Sequence, residues 1–101
     1  MSIKSSSKYL EKLIGKPLSM ADLLNSIRLC DELTMAAFSK KLKISTSHLN
    51  DIEKGRKFVS IERAAEFAKK LGYSKEQFVR ISIQDKINKA NLKLKIKIEA
   101  A

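Results

Sequence analysis

Beyond residue 19, apolar residues recur mostly at helical spacing. Met20, Leu23, Leu24 and Ile27 fall three and four apart, behind Ser19 with Asp22 at the capping-box position. This pattern predicts a first helix running to about Asp31. Thr34 opens a second, shorter helix through Leu42, with Phe38 and Leu42 one turn apart on its inner face. The connection "KIS" leads to Ser45, which caps a third helix ending near Lys54 with Gly55 as its stop. Ser60 caps a fourth, whose Ile61, Ala64, Ala65, Ala68 and Leu71 line one face before Gly72 closes it. Ser74 and Gln77 begin a fifth, with Phe78, Val79, Ile83, Ile87 and Ala90 predicted inward.

At Asn91 the period changes. In "NLKLKIKIEA", Leu92, Leu94, Ile96 and Ile98 alternate with Lys93, Lys95, Lys97 and Glu99, which predicts a half-buried strand over 92–98. At the other end, residues 1–8 are polar and serine-rich, and "YLEKLI" at 9–14 suggests a short helix stopped by Gly15 and Pro17. The expected organisation is therefore an N-terminal arm (1–19), a helical body (20–74) and a C-terminal helix with strand (75–101). The fold class is all-α apart from that strand.

A chain of 101 residues, 44% apolar, is one domain's worth and large enough for a single core without staples. No stretch approaches the ~20 apolar residues of a membrane span, and "MSIKSSSKYL" lacks the apolar centre of a signal peptide. The single cysteine, Cys30, cannot form an internal disulfide or a zinc cluster, and its place on the first helix suggests a buried small hydrophobe. A cytoplasmic protein without membrane, metal or cofactor is expected. Phosphate-binding glycine loops, metal-ligand spacings and paired acids around a pocket are absent from the sequence, and one histidine offers no partner for acid–base work. An enzyme is not expected.

Charge sharpens this. Lys and Arg total 21 against 11 Asp and Glu, for a net +10, the footprint of a nucleic-acid binder. Residues 20–73 carry ten basic and seven acidic side chains, so there the cations matter by position rather than by number. Two short helices joined by a tight turn, Thr34–Leu42 and Ser45–Lys54, have the layout of a helix-turn-helix, whose second helix enters the major groove. At 100° per residue, Thr46, Ser47, Asn50, Asp51 and Lys54 share one face of that helix, with Leu49 and Ile52 opposite.

From Leu33 to Ser74, "LTMAAFSKKLKISTSHLNDIEKGRKFVSIERAAEFAKKLGYS" resembles the Xre/Cro family of lambda repressor-like helix-turn-helix proteins. The matching features are Leu33, Ala37, Phe38 with Ser39, the turn "KIS", Leu49 and Ile52, "IEKGR", and a fourth helix ending in "LGYS". The resemblance implies a five-helix bundle that binds double-stranded DNA. Thr46, Ser47, Asn50 and Asp51 then occupy base-reading positions. Lys54, Arg56 and Lys57 fall where the family grips the backbone, Ser45 presents helix amides to a phosphate, and His48 stands on the flank as a packing or phosphate-contact residue. Arg28 and Glu53 match an internal ion pair that orients the recognition helix. Two residues depart from the pattern: Met35 stands where the family often has Gln, and Asp51 where it has a basic or amide side chain. An acid there can accept from a cytosine amino group but repels phosphate, so weaker non-specific binding than +10 suggests is expected.

Three partners suit the predicted strand: its copy in a second subunit, the sheet edge of another protein, or none until a partner arrives. One recognition helix reads about one half-site, so a homodimer on a palindromic operator is favoured, with Ile83, Ile87, Leu92, Leu94, Ile96 and Ile98 at its interface. The ending "EQFVRISIQDKINKANLKLKIKIEA" together with the N-terminal "YLEKLIGKPLSMADLLNSIR" resembles HigA-like antitoxins, which implies a ribonuclease toxin of the RelE/HigB type as a further partner and repression of a shared operon. A stand-alone regulator of phage or stress genes, or a protein-interaction module with vestigial DNA binding, is the alternative.

Overall fold

The computed structural model describes residues 19–99. Five helices follow in order: α1 (Met20–Cys30), α2 (Met35–Leu42), α3 (Thr46–Glu53), α4 (Ile61–Leu71) and α5 (Lys75–Lys89). The expected arm at 1–8 and short helix at 9–14 lie outside the described residues.

Every helix begins at a hydroxyl cap. Ser19, Thr34, Ser45, Ser60 and Ser74 accept the N–H of Asp22, Ala37, His48, Arg63 and Gln77 at 3.1, 3.1, 3.0, 3.1 and 3.2 Å. Each such bond satisfies an otherwise orphaned amide and contributes about 1 kcal/mol. Between α2 and α3, Lys43 takes the left-handed conformation (φ 59°), so its own N–H and that of Ile44 return to the carbonyls of Lys40 and Ser39. That turn swings α3 across α2 within a few residues. Gly55 (φ 77°) and Gly72 (φ 79°) make the corresponding reversals after α3 and α4.

The core is formed by Leu23, Leu24 and Ile27 of α1, Phe38 and Leu42 of α2, Leu49 and Ile52 of α3, Ala64, Phe67, Ala68 and Leu71 of α4, and Phe78 and Ile81 of α5. At the edge of this core the Asp85 carboxylate accepts the Met20 N–H at 2.9 Å, tying α5 to the start of α1.

Three details of the inner faces differ from the sequence expectation. Phe67 is buried while Ile61 is 43% exposed, because the first turn of α4 stands clear of the core. On α5, Phe78, Ile81 and Ser82 are buried, Val79, Ile83 and Ile87 are half-buried and Ala90 is exposed. Its apolar residues are spread around the helix, and packing against α4 and α1 selects the stripe that faces inward. Cys30 is exposed at the end of α1, where the helix runs past the core.

The C-terminal tail corrects a larger expectation. No strand forms at 92–98, nor anywhere among the described residues. Asn91 (φ 58°) and Lys93 (φ 55°) are left-handed, which interrupts an extended run, and no backbone ladder meets the tail. A single side chain stands in for the missing neighbour. The amide of Gln84, buried on α5, donates to the Leu94 carbonyl at 2.6 Å and accepts from the Ile96 N–H at 2.8 Å. Its second proton goes to Asn88 Oδ1 at 2.9 Å, so both ends of a buried amide are satisfied. Ile96 and Ile98 are half-buried, whereas Leu92 and Leu94 remain 56% and 55% exposed.

Gln84→Ala is expected to free the tail. Protection of the Ile96 amide against hydrogen exchange should disappear, with a loss of about 1–2 kcal/mol in stability. Protection within α2 and α3 should be unchanged; equal loss of protection there would mean that Gln84 supports the core rather than the tail.

Candidate nucleic-acid interface

Leu49 and Ile52 bury the inner side of α3, and this leaves Thr46, Ser47 and Lys54 exposed, with Asn50 and Asp51 half-buried, on its outer side. Ser45 stays exposed while capping the helix, its Oγ accepting the His48 N–H at 3.0 Å.

The attitude of α3 is set from behind. Arg28 Nε lies 3.0 Å from Glu53 Oε2, and Arg28 Nη2 donates to Oε1 at 3.2 Å, a two-pronged pairing. Asn25 Nδ2 adds a third donor to Oε1 at 2.9 Å, and Arg28 Nη1 reaches the Leu33 carbonyl at 3.3 Å. The Glu53 side chain is 4% exposed, so this carboxylate is held by α1 and has left solvent almost completely.

In front, three of the predicted site residues meet one another. Asp51 Oδ1 lies 3.0 Å from Arg56 Nε, and Oδ2 lies 3.6 Å from Lys57 Nζ. The backbone N–H groups of Arg56 and Lys57 also donate to the Asp51 carbonyl, at 2.8 and 3.3 Å. The residue expected to read bases and two residues expected to grip phosphates thus form one ion-paired turn. Lys54 stands beside it, exposed.

His48 has a partner that sequence reading missed. Arg63 Nη1 lies 3.1 Å from His48 Nδ1, and a guanidinium can only donate, so Nδ1 is the acceptor and the ring proton sits on Nε2. The one available signal was position. Arg63 is in the first turn of α4, where the helix dipole disfavours a cation, and the imidazole supplies a reason for it to be there.

The pKa of His48 is lowered from 6.5, first by desolvation and then by the Arg63 and Lys57 charges, with Asp51 opposing. The folded state therefore binds this proton less readily than the unfolded chain. The stability tied to neutral His48 is complete above 6.5 and is lost as pH falls through the lower folded value. Melting temperature should thus decline on acidification from about pH 7.5 to about pH 5. His48→Gln, which can still accept from Arg63, should flatten that decline; identical slopes for the two proteins would exclude His48 as the source.

The family model for helix-turn-helix domains matches residues 28–78, half of the 101-residue chain. The match takes in all of α2, α3 and α4. The chain belongs to the Xre/Cro-type helix-turn-helix family. It is a DNA-binding transcription regulator, a class whose work is recognition rather than catalysis. Comparison with curated proteins and with solved structures finds no match. Among the described residues, no helix is long and apolar enough to cross a membrane.

Proposed function

We propose that the protein is a sequence-specific repressor that lays α3 in the major groove of its operator. The observation that carries this reading is the outer face of α3, polar throughout and flanked by Lys54, Arg56 and Lys57, on a helix locked from behind by the half-buried Arg28–Glu53 pair. Thr46, Ser47 and Asn50 face base edges. Ser45, His48 and Lys54 face phosphates, and Asp51 divides its charge between the groove and the two cations it holds.

The repressor acts as a homodimer, since one α3 covers about one half-site. Exposed Leu92 and Leu94, with half-buried Ile83, Ile87, Ile96 and Ile98 nearby in sequence, offer the apolar surface for a two-fold contact. The resemblance of both ends of the chain to HigA-like antitoxins supports a finer role, repression of an operon shared with a RelE/HigB-type ribonuclease toxin that the protein neutralises.

Binding to the DNA upstream of its own gene tests the main reading. Lys54→Ala should weaken binding to every duplex and reduce the salt slope by about 1. Asn50→Ala should instead narrow the gap between operator and random DNA, by about 1–3 kcal/mol. If the two substitutions act alike on both kinds of DNA, this assignment of roles fails. Leu94→Asp should yield monomers by light scattering, and co-purification from cells expressing the intact operon tests for a toxin.

A further inference from the structure

Ser39 is 4% exposed and lies behind the first residue of α3. Its Oγ is 2.9 Å from the Ala36 carbonyl oxygen and 3.2 Å from Thr46 Oγ1. A carbonyl has no proton to give, so the single hydroxyl proton of Ser39 goes to Ala36. What Ser39 then offers Thr46 is a lone pair, and the proton between the two hydroxyls must come from Thr46. Thr46 is exposed on its other side, where it keeps its free lone pairs and its methyl group and has no proton left to donate.

We infer that Ser39 is a specificity-determining positioning residue: it makes Thr46 an acceptor-only reader that excludes guanine at the base it meets. In the major groove, adenine N6 and cytosine N4 are donors that such an oxygen can accept from, and the thymine methyl suits the threonine methyl. Guanine presents O6 and N7, both acceptors, which an acceptor-only side chain leaves unpaired. This inference rests on the proposal that α3 reads the major groove. Thr46 makes the contact, and Ser39 acts through it.

The test is selection of binding sites from randomised duplex DNA with the full chain and its Ser39→Ala, Thr46→Val and Thr46→Ser variants. Ser39→Ala releases the Thr46 proton, so guanine should rise about three- to tenfold at one position in each half-site, with the others unchanged. Thr46→Val, which has no hydroxyl proton to release, should keep guanine excluded. Thr46→Ser should also keep it excluded, because the hydroxyl pair survives, while losing any preference for thymine there. Circular dichroism confirms that each variant is folded. Enrichment of one motif with an unchanged profile for Ser39→Ala overturns the inference alone. A wild-type chain that enriches no motif overturns the DNA-reading proposal and this inference with it.

Discussion

Arg28→Met is expected to lower the unfolding free energy by about 3–5 kcal/mol. Among the described residues the arginine is the only charged partner of Glu53, whose side chain is 4% exposed and there keeps the neutral Asn25 donor once the guanidinium is gone. A buried carboxylate left without its counter-charge must either remain ionised out of water or take up a proton, and both are unfavourable. Against a total of about 5–15 kcal/mol for a domain of this size, the loss is severe. The double variant Arg28→Met with Glu53→Leu should recover much of it, since replacing a buried ion pair by packed apolar groups is often close to neutral. Denaturant unfolding of the two single variants and the double one measures the coupling. Additive effects would mean that the two side chains stabilise the fold independently. The recovered double variant should still lose operator preference, because nothing would then set the attitude of α3 with the same definition.

Asp51→Asn is expected to tighten binding to random duplex DNA by about three- to tenfold and to steepen the salt slope by about 1–2. In the native protein its carboxylate holds Arg56 at 3.0 Å and Lys57 at 3.6 Å, so two cations reach a phosphate only by leaving a partner. Exposed pairs of this kind contribute only about 0–1 kcal/mol to stability, so breaking them harms the fold little. The turn should keep its shape, because the Arg56 and Lys57 amides bond to the backbone carbonyl of residue 51, which asparagine retains. Titrations of operator and random DNA over a range of salt would show the gap between them narrowing. Unchanged or weaker random binding would show that the Asp51 charge does not restrain the two cations. In this account Asp51 limits indiscriminate binding in a chain of net +10, and it does so before any base is met.

The starts of all five helices could be read from the chain alone because a hydroxyl cap and the amide it serves lie three residues apart. The grouping on α3 was readable for a similar reason. Leu49 and Ile52 fix which side is inward, and helical geometry then places Thr46, Ser47, Asn50, Asp51 and Lys54 together. What those side chains touch was not readable. Asp51 meets Arg56 and Lys57 because the chain reverses at Gly55, while Arg63 reaches His48 from another helix.

The sequence by itself determined the five helices, the family and the polar face of α3, all carried by interactions between residues a few positions apart. Only the tertiary structure decided which stripe of α5 is buried, since apolar residues spread around a helix do not choose a face until α1 and α4 are packed against it. It also decided the fate of the tail. Alternation from Leu92 to Ile98 records an alternating environment, but a strand needs a backbone neighbour, and in this fold the neighbour is the single buried amide of Gln84.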